Sequence, residues 1–331
     1  MLKIHFSGED ILRTRVAPAP DPVWELVLSL HLLPGRSRDP LLAGWRRGVT
    51  RGLRSQSRST GLRLLMALNP PRGYFPDFLT PHESVAGFEA GLEAVRSTPV
   101  SLLRRDLSLL AAGGGLPDAA GSLFRGEPGA LRSLTEAMTE YHALAVGPYW
   151  DRIQAAVGAD RARRSRALLD GGVEGLLASL RPTVRWESGV LEVHDYPRSR
   201  ELHLDGRGLL LVPSFFCART PVALLDPALP PVLVYPVDRL GGLTPSTDGR
   251  PAAPPGREAL AALVGRTRAA VLEASEEGCT TGEIARRLHI SAAAASQHAT
   301  VLRNAGLLVS HRDRNTILHT LTPLGRAVLD A

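Results

Sequence analysis

The run from Thr280 to Pro323 constrains the fold of this chain more tightly than any other part of it. Thr280 and Glu283 have the Thr-x-x-Glu spacing of a capping box, and the helix they start carries Ile284, Ala285 and Leu288 on one face. His289 falls in the tight turn that follows. Positive φ is common in such turns, and histidine is among the few residues other than glycine enriched there. Ser291 is a preferred N-cap for a second helix, in which Ala295, Ala299 and Leu302 recur at i, i+4 and i+7 and can pack on the first. LLVSH and TILHTL then alternate as strands around a charged tip of Arg312, Asp313, Arg314 and Asn315. Thr322 and Pro323 cap a last short helix, LGRAVLDA. Helix, turn, helix, hairpin and helix in this order make a winged helix-turn-helix.

The packing face of the second helix fixes what its other face presents: Ala293, Ala294, Ser296, Gln297 and Thr300, all small or hydrogen-bonding. Such residues can enter a major groove that would exclude bulky apolar ones, and the Gln297 amide can pair with adenine in bidentate fashion. His298 and Arg303 lie beside this face, in reach of the backbone. Ser291 and Thr281 sit near helix N-termini, where phosphate is favoured. A wing tip carrying Arg312, Arg314 and Asn315 can lie along phosphates or in a minor groove. The expected partner is double-stranded DNA. The same pattern allows one other reading, a winged helix used for protein assembly.

SAAAASQHATVLRNAGLLV, with its following wing, resembles the winged-helix repressors of the arsenic-repressor (ArsR) type in order and spacing over about a quarter of the chain. The resemblance implies a sequence-specific transcriptional regulator, a repressor, acting as a homodimer on a near-palindromic operator. Two departures stand out. Metal-sensing members carry a Cys-x-Cys pair near the first helix, whereas this chain has only Cys279 there, and Arg314 occupies a wing turn where glycine is usual.

A chain of 331 residues is long enough for two or three domains. Leu2, Ile4 and Phe6 alternate as a strand, and a second extended run reaches Val16. Helical patterns follow at 21–34, 40–57, 82–96, 100–112, 130–146 and 149–169. Between Thr183 and Tyr235 the period becomes two, with TVRW turning through ESG into VLEVHDY and ELHL through DGRG into LLLV, the pattern of a small antiparallel sheet. GGLTPSTDGRPAAPPG has no apolar periodicity and reads as a linker. The fold class expected is mainly helical α+β: a helical and β regulatory or dimerisation domain over 1–242, a linker over 243–256 and the winged helix over 257–331. PDPVWELVLSLHLL, NPPRGYFPDFLTP and PSFFCARTP, ahead of such a motif, resemble a family of actinobacterial regulators whose N-terminal domain has no known function. Tyr74, Phe75 and Phe78 cluster in a Pro-rich loop and are candidates to line a pocket for a small-molecule effector.

The net charge of +6 says less than the motif, because Lys3 is the only lysine among 39 Lys and Arg residues and such an arginine bias follows from a GC-rich genome. Cys217 and Cys279 have no disulfide or zinc spacing, and neither do Cys279, His289, His298, His311 and His319 taken together, so no metal or other cofactor is expected. His194 with Asp195, and His203 with Asp205, alternate with apolar residues as on a strand face. No G-x-S-x-G, H-E-x-x-H or glycine-rich phosphate loop accompanies them, and an enzyme is not expected. No apolar run of signal-peptide or membrane-span length occurs, so the location expected is the cytoplasm, with no membrane partner.

Overall fold

The computed structural model describes residues 1–33, 40–56, 59–70, 73–112, 118–197, 199–218, 220–239, 256–276, 278–313 and 316–330. The chain divides into two compact units, Met1–Pro245 and Ser246–Ala331, both mainly helical with small sheets. The expected linker, up to residue 255, lies outside the described residues.

The first unit opens with β1 (Leu2–His5), α1 (Gly8–Arg13) and β2 (Arg15–Val16). A helical block follows: α2 (Pro22–Leu32), α3 (Ala43–Gln56), α4 (Thr60–Leu68), α5 (Phe88–Arg96), α6 (Val100–Ala111), α7 (Gly121–Arg125), α8 (Pro128–Ala145) and α9 (Trp150–Ala178). The last is broken by non-helical backbone at Gly171 and Gly172. Then come β3 (Arg185–Glu187), β4 (Val190–Val193), β5 (Arg200–His203), β6 (Leu210–Ser214), β7 (Val222–Ala223) and β8 (Val232–Pro236).

Several elements depart from the sequence expectation for local reasons. Residues 8–13 form a helix rather than an extended run, because Ser7 and Asp10 close a capping box in which the Asp10 carboxylate accepts the Ser7 N–H at 2.8 Å. α4 was not expected at all, yet it buries Leu62, Leu64, Leu65 and Leu68. The pattern at 82–96 is a 3-10 turn, His82–Ala86, then Gly87 at φ +132 and α5. α2 is buried on every side from Pro22 to Leu30, so it is the central helix of the unit and not an amphipathic one.

The β segment also differs. Instead of one antiparallel sheet, the described residues form two four-stranded sheets, ordered β3-β4-β1-β5 and β2-β6-β8-β7. β1 runs antiparallel to β4 and parallel to β5, and β6 runs parallel to both β2 and β8. ELHL and LLLV are therefore not a hairpin, since β5 and β6 belong to different sheets. Asp205, Gly206 and Gly208 all have positive φ and turn the chain from one sheet to the other. At Gly208 a Cβ would lie 2.6 Å from the Arg13 Cβ, and the Gly208 N–H donates to Asp10 Oδ1 at 2.9 Å.

Buried carboxylates of α1, α2 and the turn at Asp77 join these earlier parts of the unit to the β segment. Asp10 takes the Gly208 N–H, and Asp77 takes those of Leu225 at 3.0 Å and Asp226 at 2.8 Å. Glu25, fully buried on α2, accepts the N–H groups of Phe215 at 2.7 Å and Phe216 at 2.9 Å and the Ser214 hydroxyl at 3.0 Å. Burial pushes the Glu25 carboxyl up to about 7, against the pull of those three donors.

In the second unit α10 (Gly256–Val264) and α11 (Arg266–Ala274) precede β9 (Cys279–Thr280), α12 (Thr281–Arg287) and α13 (Ala292–Asn304). β10 (Leu308–Asp313), β11 (Thr316–Leu321) and α14 (Pro323–Asp330) complete it. Its sheet has the order β10-β11-β9, and its core gathers Val271, Leu272, Ile284, Ala295, Ala299, Leu302 and Leu308.

All four tryptophans, Trp24, Trp45, Trp150 and Trp186, belong to the first unit, so tryptophan fluorescence reads its unfolding alone. Glu25→Ala leaves two buried N–H groups and a hydroxyl without an acceptor and is expected to destabilise this unit by about 3 kcal/mol or more. The folded carboxyl lies above its ordinary value of 4.5, so its share of the stability is complete below that pH and falls as pH rises to about 7. Denaturant titrations of wild type and Glu25→Gln should therefore diverge against the wild type over this window and run level above it.

Candidate nucleic-acid interface and effector cavity

The helix-turn-helix is built as its residues dictate. The Thr280 hydroxyl accepts the Glu283 N–H at 3.3 Å while the Glu283 carboxylate takes the Thr280 N–H at 2.7 Å, closing the capping box of α12. His289 has φ +54 in the turn, and the Ser291 hydroxyl caps α13 by accepting the Ala294 N–H at 3.1 Å. α13 packs on α11 and α12 through Ala295, Ala299 and Leu302, all fully or almost fully buried.

The opposite side of α13 is open. Ala293, Ser296, Gln297 and Arg303 are exposed, and Ala294, His298 and Thr300 are half-buried. Ala292 to Ala295 form a run of four alanines at the start of the helix, which favours helix and lets its backbone approach a partner closely. His298 has a buried Nδ1 without a partner. At the wing β10 and β11 pair antiparallel from Leu308 opposite Leu321 to Asp313 opposite Thr316. Arg314 and Asn315 lie outside the described residues; Arg312 has its backbone in β10, opposite Ile317.

Thr281 has a different immediate role from the phosphate contact expected of it. Its hydroxyl lies 3.0 Å from His319 Nε2, and the Ser310 hydroxyl lies 2.9 Å from His319 Nδ1. His319 is 4% exposed, and burial, aided by the charge of Arg303, lowers its pKa. One imidazole thus ties the start of α12 to both wing strands, a link that sequence spacing does not show. Cys279 is fully buried beside Ser275, and burial pushes its thiol up. These contacts give Cys279 and His319 structural places.

Residues 269–316 match the MarR family. The match spans α11 to the start of β11, so the second unit carries a winged helix-turn-helix of the kind found in DNA-binding transcriptional regulators. The family matched is MarR and not the arsenic-repressor type that the residues resemble. No curated protein and no solved structure matches the chain.

The first unit contains a cleft of about 840 Å³ between the C-terminal half of α2, the loop at 73–77 and the segment around 196–225. Tyr74 and Phe75 line it, together with Leu28, Tyr196, Phe216 and Val222. Phe78, expected to line it, does not. It follows Asp77 in a 3-10 turn, is 7% exposed and packs into the core, with its N–H held by Asp106 at 3.0 Å.

The polar groups of the cleft are largely engaged in holding its wall. Arg200 donates to the carbonyls of Leu224 and Leu225 at 2.7 and 3.0 Å, and Asp77, pushed up to about 6 by burial, takes the N–H groups of Leu225 and Asp226. Burial lowers the pKa of His31, and burial pushes the Cys217 thiol up to about 12, far from the reactive thiolate. What remains is a mostly apolar, aromatic surface of small-ligand size. Its residues come from stretches nearly 200 positions apart, which is why only the 74–75 part was visible in the sequence.

His319→Ala should loosen the wing by about 1–3 kcal/mol, read as faster amide hydrogen exchange in β9 and β11 of the full chain. Because its folded pKa lies below the ordinary 6.5, the His319 contribution is complete above that pH and lost as pH falls through it. Exchange protection in the wild-type wing, corrected for intrinsic rates, is expected to drop from about pH 7.5 to 5.5. The same drop should be smaller in His319→Ala.

Proposed function

We propose that this chain is a sequence-specific repressor that binds an operator as a homodimer and responds to a small molecule held in its first unit. The observation that carries the reading is the face of α13. Its inner side is closed by Ala295, Ala299 and Leu302, and its outer side offers Ala293, Ser296, Gln297 and Arg303 to a partner, in a segment that matches the MarR family. Gln297 reads a base edge, Ser291 and the α13 N-terminus approach phosphate, and the wing adds backbone contacts. Two such helices in a dimer would meet a near-palindromic site about one duplex turn apart.

The cleft of the first unit supports effector control. Its size and its aromatic walls suit an uncharged, largely apolar ligand, since Asp77 and Arg200 spend their charges on the loop that forms the wall. A ligand that favours one of two states of the protein shifts operator affinity by its difference in affinity for them. Cytoplasmic action fits a DNA target, and among the described residues no helix is long and apolar enough to cross a membrane.

Binding to duplex from the chain's own promoter region should exceed binding to random duplex and fall steeply and linearly with salt on logarithmic axes. Gln297→Ala is expected to reduce the preference by about 1–3 kcal/mol while leaving non-specific binding in place. Equal affinity for promoter and random duplex would remove the operator reading.

A further inference from the structure

The parallel pairing of β1 with β5 brings His5 beside Glu201 and His203, which the sequence places about 200 residues further on. His5 lies opposite His203, and Glu201 sits two residues earlier on the same face of β5. The two imidazoles stack with centroids 4.4 Å apart. Glu201 Oε2 is 3.5 Å from His5 Nε2 and 4.0 Å from His203 Nε2, and one ligand atom from each residue falls within 4.8 Å of the others.

The surroundings favour a cation here. Lys3, the register partner of Glu201, places its ammonium on Glu192 of β4 at 3.4 Å, which leaves the Glu201 charge to the two imidazoles. His5 Nε2 is buried and has no hydrogen-bond partner. A ring nitrogen shielded from water that makes no hydrogen bond is costly unless something binds it, and its nearest charged neighbour, Glu201 Oε2, stands 3.5 Å away.

We propose that His5, Glu201 and His203 bind a divalent first-row transition metal of the zinc class. Two imidazoles and one carboxylate form a borderline nitrogen and oxygen donor set, suited to Zn²⁺, Co²⁺ or Ni²⁺ rather than to Mg²⁺ or Ca²⁺. With bonds of about 2.0–2.2 Å, neighbouring donors of a tetrahedral site lie about 3.4 Å apart. The His5 and Glu201 atoms already stand at that separation, and His203, 4.0 Å from Glu201 and stacked on His5 at 4.4 Å between centroids, needs to close by about an ångström and turn out of its stack. Its side chain is 60% exposed and that of Glu201 63%, so both can move, while His5 at 31% is the anchored ligand. Water completes the coordination. The metal cross-links β1 to the edge strand β5, so it stabilises the first unit by binding the folded form alone.

The test is a Co²⁺ titration of the untagged full chain, followed by visible absorption and reversed by Zn²⁺. Thermal unfolding with and without Zn²⁺ is followed in parallel by tryptophan fluorescence. One equivalent should saturate the spectrum, and Zn²⁺ should raise the unfolding midpoint. His5→Ala and His203→Ala should each weaken binding by more than about tenfold, the lower end of the loss seen when even an outer-sphere partner of a ligand is removed. Glu201→Gln should weaken it, and His194→Ala, in the turn after β4, should leave it unchanged. An unaltered metal-free midpoint in His203→Ala separates a lost ligand from a lost fold. The proposal is overturned if no saturable one-to-one binding is seen, or if His5→Ala and His203→Ala bind as the wild type does.

Discussion

The first unit depends on buried carboxylates that accept backbone N–H groups from distant parts of the chain. Asp10 reaches Gly208, Glu25 reaches Phe215 and Phe216, and Asp77 reaches Leu225 and Asp226, sequence separations of 148 to 198 residues. Each holds one part of the β segment to an earlier helix or turn. A carboxyl group is suited to this because its two oxygens accept several bonds at once. The cost is desolvation, visible in the raised carboxyls of Glu25 and Asp77.

Glu25 also positions the cleft. Leu28 and Leu32 follow it by three and seven residues on α2 and line the cavity, and Phe216, whose N–H it holds, lies on the facing wall against Trp45 with ring centroids 4.9 Å apart. The contacts that stabilise the unit are thus the ones that shape the place where a ligand would bind. In this arrangement a ligand touching Phe216 or the 224–226 loop bears directly on bonds that hold the two halves of the unit together.

The winged helix was legible almost residue by residue because its determinants are local. The Thr280–Glu283 box, positive φ at His289, the Ser291 cap and the Ala295, Ala299 and Leu302 face each depend on neighbours within a few positions. Where the reading fell short, long-range pairing decided. Nothing in ELHL or LLLV says that they join different sheets, and two-residue strands such as β2 and β9 carry no period. Phe78 was misplaced because one step along a 3-10 turn takes a side chain from cavity to core. The contact of Thr281 with His319 was not legible because the two lie 38 residues apart.

The chain thus combines a winged helix with a small, hydrogen-bonding outer face on α13 and a first unit held together by buried carboxylates around an apolar cleft. The proposed function requires the outer face of α13 to read DNA sequence. Genome-wide mapping of bound sites, for wild type and for Gln297→Ala at equal expression, tests this most directly. The expected result is a small set of wild-type sites sharing a near-palindromic sequence, with the variant losing them or spreading to sites that differ at one position of each half. Bound fragments with no common sequence, or an unchanged set in the variant, would contradict it.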